Sequence, residues 1–226
     1  MDISRIRVAL DGPSGAGKST VAKILAAKMG YIYVDTGALY RTCGLYAMEN
    51  GVDKDDAAGI IALLDTIDVQ LTYENGEQHV LLNGSDVGGK IRTPEASMYA
   101  SAVSKLPEVR AYLLDLQKKI AEKGGVVMDG RDIGTVIMPD AEVKVFMTAS
   151  PEERARRRHK ELLEKGENVT FDEVLADMTE RDKNDSQRKT APLKPADDAV
   201  MFLNDGYDAE GSADYIIELI RRTCGE

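Results

Sequence analysis

Gly12-Pro13-Ser14-Gly15-Ala16-Gly17-Lys18-Ser19 fits the pattern G-x-x-x-x-G-K-[ST], and it stands where that pattern has mechanical meaning. Ahead of it, Ile6-Arg7-Val8-Ala9-Leu10 reads as a buried strand. Behind it, Val21, Ala22, Leu25 and Ala26 recur at helical spacing between Lys18 and Met29, with Gly30 as terminator. A strand that turns through glycines straight into a helix presents successive N–H groups, and the positive end of the helix, to one set of phosphate oxygens. Lys18 is placed to reach β- and γ-phosphates and the Ser19 hydroxyl to ligate Mg²⁺. The loop alone does not separate a kinase from a GTPase switch or a motor ATPase.

Tyr31-Ile32-Tyr33-Val34 predicts a second strand and about Gly37 to Met48 a second helix, a strand–helix–strand–helix order that argues for a parallel sheet flanked by helices. The pattern then changes. Val69, Leu71 and Tyr73 alternate with polar residues, Asn75-Gly76 signals a tight hairpin, and Val80-Leu81-Leu82 returns. Roughly residues 66–92 are therefore expected to form a small antiparallel insertion. Thr93-Pro94 opens a helix, a second runs from about Pro107 to Lys123, and Val126-Val127-Met128 and Val143 to Met147 supply further strands of the parallel sheet. Ser150-Pro151-Glu152-Glu153 and Thr170-Phe171-Asp172-Glu173 both read as capping boxes. Val200 to Leu203 reads as the last strand, before a final helix carrying Ile216, Ile217, Leu219 and Ile220.

The 226 residues suit one domain, or one domain with insertions. An apolar content of 43% supplies a core. The formal charge of −10 repels a polyanion, so a nucleic acid polymer is not an expected partner. Cys43 and Cys224 lack metal-ligand spacing and suit a reducing compartment. The start, Met1-Asp2-Ile3-Ser4-Arg5, lacks a basic region followed by an apolar run, and no stretch approaches about 20 apolar residues. A soluble, cytoplasmic protein with no membrane partner is expected.

Two further segments fall on the carboxyl edge of the sheet, where ligands of such folds sit. Asp35-Thr36-Gly37-Ala38-Leu39-Tyr40-Arg41 follows the second strand, and Arg41, about a turn into the next helix, can fork onto a phosphate. Asp129-Gly130-Arg131-Asp132 follows Val126 to Met128; Arg131 supplies a second fork and Asp129 can hold Mg²⁺ through water. Arg181, Asp185 and Arg188 stand at i, i+4 and i+7, one face of a helix. The Asp35 and Asp129 segments taken singly are equally helix caps or surface ion pairs, and the Arg181 face is equally a solvated salt-bridge ladder; the convergence of the first two with the glycine loop on one edge is what points to a site. Arg154, Arg157 and Arg158 share a face of the helix after Ser150 and are candidates for arginines that close over a transferring phosphoryl group.

Over nearly its whole length the chain resembles the bacterial cytidylate kinases, which are nucleoside monophosphate kinases. The residues that carry the resemblance are Asp11 to Lys18, Asp35 to Arg41, Ile91-Arg92-Thr93, Asp129-Gly130-Arg131-Asp132-Ile133-Gly134-Thr135-Val136, and Glu180-Arg181-Asp182 continuing to Ala191-Pro192-Leu193. Thr36 stands where some relatives have Ser, and Ser19 where some have Gly. The resemblance implies an α/β fold with a P-loop NTPase-type parallel sheet, a monophosphate-binding antiparallel insertion at about 66–92 and a helical lid at about 151–170, all within a single kinase domain. It implies ATP bound along Gly12, Pro13, Ser14, Gly15, Ala16, Gly17, Lys18, Ser19 and Thr20, and Mg²⁺ at Ser19 and Asp129. CMP or dCMP is the implied acceptor. Ser101, Arg110 and Asp132 look like cytosine readers, Arg181 and Asp185 like sugar contacts, Arg41, Arg131 and Arg188 like a phosphate clamp, and Thr36 like a further substrate-binding residue. Lys18, Arg131, Arg158 and Arg188 are the expected catalytic set, in a monomer.

Two other readings compete. A kinase for an alcohol such as a shikimate-like acid would use Asp35 as base. A GTPase-type switch would carry an Asn-Lys-x-Asp guanine reader, which Lys183-Asn184-Asp185 does not match.

Overall fold

The strand ahead of the glycine loop forms one residue later than its apolar run suggests, because Asp11 continues the ladder. In chain order the elements are β1 (Arg7–Asp11), α1 (Lys18–Met29), β2 (Ile32–Asp35), α2 (Thr36–Glu49), α3 (Ala57–Ala62), β3 (Val69–Glu74), β4 (Glu77–Leu82) and β5 (Ser85–Asp86). They continue with α4 (Pro94–Val103), α5 (Pro107–Ala121), β6 (Val126–Gly130), β7 (Val143–Thr148), α6 (Pro151–Glu164), α7 (Phe171–Gln187), β8 (Val200–Leu203) and α8 (Ala209–Cys224). The structure, a computed structural model, describes residues 2–74 and 77–225. The hairpin turn expected at Asn75-Gly76 therefore lies outside the described residues. The chain divides into two compact units, Met1–Ile32 with Gly124–Glu226, and Tyr33–Lys123.

The first unit is built on the parallel sheet, whose strand order is β2-β6-β1-β7-β8. β1 is central: Arg7 to Asp11 pair with Val126 to Gly130 on one side, and Val8 to Asp11 with Val143 to Phe146 on the other. Ile32, the last residue of this stretch, donates its N–H to Gly125 O at 2.8 Å. Helices α1 and α8 pack on each other, α1 against β6 and α8 against β7. Leu25, Met128, Met147, Ile216 and Ile220 are fully buried between these elements. Helix α6 starts on the Ser150 cap with Pro151 in its first turn, and α7 on the reciprocal Thr170–Glu173 capping box. These two helices enclose a small core of their own, Ala155, Val174 and Met178 with Leu162, Val169, Phe171 and Leu175 around it.

The second unit holds the antiparallel sheet β3-β4-β5, with Val69 opposite Leu82 and Tyr73 opposite Gln78. It takes in more than the insertion expected at 66–92, because α2, α4 and α5 share its core. That core joins Leu39, Tyr40 and Cys43 of α2 to Val69, Val80 and Leu82 of the hairpin, and to Val103, Val109 and Leu113. Two short elements escape the sequence pattern, the six-residue α3 and the two-residue β5. No helix among the described residues is long and apolar enough to cross a membrane.

Candidate active site

In the first unit the glycine loop is shaped by what stands behind it. Gly12 has φ +150°, and a Cβ there would sit 1.9 Å from Met147 O, so only glycine fits between β1 and β7. Three loop carbonyls are held by side chains: Lys18 Nζ donates to Pro13 O at 2.7 Å, Arg154 Nη1 to Ser14 O at 3.0 Å, and Asn204 Nδ2 to Ala16 O at 3.0 Å. Across a trans peptide the N–H points opposite to the C=O. Holding these carbonyls therefore turns the N–H groups of Ser14, Gly15 and Gly17 away from those side chains, an arrangement suited to receive an anion. Gly12 to Gly17 thus form the loop between β1 and α1, with Lys18, Ser19 and Thr20 opening α1 behind it.

Lys18 is buried, and burial followed by the nearby Arg131 charge pulls its ammonium down to about 7. Arg181, Asp129 and Asp11 act on it as well. Ser19 Oγ donates to Asp129 Oδ2 at 2.7 Å, so the two expected Mg²⁺ residues stand side by side at the mouth of the loop. Among the described residues no group of three or more His, Cys, Asp or Glu is placed to hold a metal. A hydroxyl beside a carboxylate suits Mg²⁺, which keeps several waters and takes further oxygens from phosphates.

Asp11 ends β1, and its carboxylate accepts from the N–H groups of Ile133 and Gly134 at 2.8 and 2.7 Å. It thereby ties the wide helical turn Ile133–Ile137 to the strand that feeds the glycine loop. Burial pushes Asp11 up to about 6 against those two bonds, with Asp132 adding repulsion. Asp132, itself buried, begins this turn.

Arg131 Nε donates to Asp185 Oδ2 at 2.9 Å, and Arg188 Nη1 lies 3.8 Å from Asp185 Oδ1. Burial alone would raise the Asp185 carboxyl; Arg131, Arg188 and Arg181 together outweigh it and hold the group below the ordinary range. The cluster forms, but not by the helical face that spacing suggests. Helix α7 ends at Gln187, and Arg188 has extended backbone with φ −65° and ψ 143°. The chain then doubles back: Ala191, at φ +48°, turns its carbonyl to accept from Arg188 Nε at 2.7 Å, and Leu193 N–H donates to Asp185 O at 2.8 Å.

The three arginines of α6 do different things. Arg154 is buried, donating to Ala149 O and Ser14 O and pairing with Asp182 at 2.6 Å. Arg157 pairs with Glu153 and approaches Ala16 O and Asn204 Oδ1 at 3.5 and 3.4 Å. Arg158 pairs with Glu161 one turn along its own helix.

In the second unit, Asp35 ends β2 and caps α2. Its Oδ1 accepts from Ala38 N–H at 3.0 Å, and its Oδ2 pairs with Arg41 Nη2 at 2.7 Å. Both oxygens of the Asp35 carboxylate thus take part in holding the start of α2. A Cβ on Gly37 would come within 3.0 Å of Arg41 Nη1, so the glycine clears room for that guanidinium. Thr36 is buried in the first turn of α2. Ser101 and Arg110 meet at Ser104, which donates from Oγ to Ser101 O at 3.0 Å and accepts at its carbonyl from Arg110 Nη1 at 3.3 Å. Arg110 also stacks over the Tyr40 ring, 5.4 Å from its centroid.

A family profile described as Cytidylate kinase matches residues 8–222. The chain belongs to the cytidylate kinase family. It is 50% identical over 217 residues to a cytidylate kinase of Carboxydothermus hydrogenoformans, covering 96% of this chain and 98% of that one. It is 46% identical to one of Caldicellulosiruptor saccharolyticus over 99% of both chains, and 48% to one of Streptococcus mutans over 93% and 94%. A crystal structure of an uncharacterized protein from Eubacterium ventriosum superposes with a TM-score of 0.53 at 15% identity, covering 96% and 99%, a likeness of fold alone. The family motif quotes Asp11 and Asp182, but residue types alone give no sign of their partners. Asn204 and Gln78 lie in no motif.

Proposed function

We propose that the protein transfers the γ-phosphoryl group of ATP directly to CMP and dCMP, giving ADP with CDP and dCDP. It would act as a monomer in the cytoplasm and serve pyrimidine nucleotide metabolism. The observation that carries this reading is the concentration of Lys18, Arg131, Arg181 and Arg188 around Asp185 and the glycine loop, in a chain with net charge −10. A single phosphate tail is served by a loop and one lysine. Further guanidiniums suit a second phosphate.

The acceptor nucleophile is a phosphate oxygen whose second pKa is about 6, already ionised at neutral pH, so no general base is required. Catalysis then consists of aligning two polyanions and offsetting charge on the group in flight. Lys18 and the loop N–H groups hold the donor. Arg131 and Arg188 hold the acceptor phosphate, with Arg181 and Asp185 on the sugar; Arg41 is a further phosphate-clamp residue and Thr36 a further substrate contact. Ser19, and Asp129 through water, would hold Mg²⁺, which when bound offsets charge on the β- and γ-phosphate oxygens. Asp132, Ser101 and Arg110 read cytosine: its exocyclic amine donates where uracil presents a carbonyl, so a carboxylate favours the first and repels the second. Residues 151–170 serve as the lid that excludes water, with Arg157 and Arg158 its candidates for closing over the transferring phosphoryl group, while the third candidate, Arg154, is buried and already tied to Ser14 O and Asp182.

ADP release from Mg-ATP measured against CMP, dCMP, UMP, AMP and shikimate tests the proposal. Fast turnover with CMP and dCMP, slow with UMP and none with the others is expected. Turnover only with shikimate, or hydrolysis indifferent to every acceptor, overturns it.

A further inference from the structure

Strand β4 places one polar residue where its pattern calls for an apolar one. Val80 and Leu82 point inward and join the core on α2, and Gln78 shares their parity. A departure from local patterning with no packing benefit is the kind that marks a functional constraint. Gln78 is half-buried, and its amide bonds the backbone of Asp35 at both ends: Oε1 accepts from Asp35 N–H at 2.8 Å, and Nε2 donates to Asp35 O at 3.4 Å. The side chain thus pairs with Asp35 as a neighbouring strand would, at the point where β2 ends and α2 begins.

Asp35 in turn aims Arg41, through the 2.7 Å pair between two side chains that are 16% and 21% exposed. Arg41 Nε is buried and has no hydrogen-bond partner among the described residues, so the guanidinium keeps a donor uncommitted. A carboxylate can hold a guanidinium in one orientation only if its own Cα is fixed, and the Asp35 peptide is fixed from the side by Gln78. We infer that Gln78 is a positioning residue through which the antiparallel insertion sets the Asp35–Arg41 pair for the acceptor phosphate. The inference rests on the reading of Arg41 as part of the phosphate clamp.

Gln78→Leu continues the apolar face of β4 while removing both bonds, and Gln78→Met does so at nearly the original length. In either variant KM for CMP is expected to rise about 5- to 10-fold, the size of one or two net hydrogen bonds, with KM for ATP changed less than about twofold. In an Arg41→Met background the same change at Gln78 is expected to shift KM for CMP by less than about twofold, because the group it orients is gone. A purely structural role would lower the active fraction and leave both KM values alone, and that result overturns the inference. So does a rise in KM for CMP that persists undiminished beside Arg41→Met. A strong effect of Arg41→Met with silent Gln78 variants overturns the inference only; no effect of Arg41→Met on KM for CMP removes the clamp reading and the inference with it.

Discussion

Replacing Arg154 by Met separates an arginine that waits in a lid from one that is part of the framework. The Arg154 side chain is 6% exposed and pairs at 2.6 Å with Asp182, whose side chain is 22% exposed. It also donates to Ala149 O and Ser14 O. Removing one partner of a buried pair costs about 3–5 kcal/mol, because the other charge is left desolvated. Asp182 keeps some contact with water, so the lower end, about 3 kcal/mol, applies. For a chain of this size each kcal/mol moves the melting temperature by about 2–4 °C, which predicts a fall of about 6–12 °C for Arg154→Met. Calorimetric unfolding measures it. Asp182→Asn removes the same pair from the other side, so the double variant is expected to fall short of the sum of the singles by at least about 1 kcal/mol. A melting temperature within about 2 °C of wild type, the size of a surface effect, would show that Arg154 carries no framework role. Full additivity would break the claimed pair.

Two further outcomes follow from the site. Asp132→Ala should reduce the preference for CMP over UMP by about 5- to 150-fold while leaving KM for ATP nearly unchanged, since a buried polar mismatch is worth about 1–3 kcal/mol; unchanged discrimination in kcat/KM removes Asp132 from base reading. Lys18 has its ammonium lowered to about 7 by burial, so at pH 8 the free protein holds it mostly neutral, and a bound triphosphate restores the charge. Titration calorimetry of ATP without metal, in buffers of different ionisation heat, should therefore show proton uptake at pH 8 that fades below pH 7 and is absent in Lys18→Met. Heats independent of buffer at pH 8 would contradict the protonation change.

The sequence made the local elements legible where a cap or a breaker sits at a defined offset. Helix α1 runs from Lys18 to Met29 and stops at Gly30 as read, and the Thr170–Glu173 box opens α7 with both of its bonds in place. Ser19 and Asp129, each read separately as a Mg²⁺ residue, come to 2.7 Å because α1 opens after β1 and Asp129 stands near the end of its parallel neighbour β6. Arg188 shows where spacing stops being informative: i+7 from Arg181 assumes that the helix continues, whereas Ala191 in the left-handed region folds the chain back before it can. Helix α3 escaped because six residues with Ile60 alone buried carry almost no period. The supports of the glycine loop were equally hidden. Asn204 reaches Ala16 across 188 positions and Arg154 reaches Ser14 across 140, and nothing in residue type announces such a partner.

The central claim is direct transfer between two bound nucleotides, and the destination of the phosphoryl group tests it. In a single turnover, excess enzyme would be mixed with Mg-ATP labelled at the γ-phosphate and with CMP, then quenched and resolved by chromatography. The account predicts label in CDP as ATP disappears, with none on the protein. Label released as inorganic phosphate, or trapped on the chain before CDP appears, would contradict it.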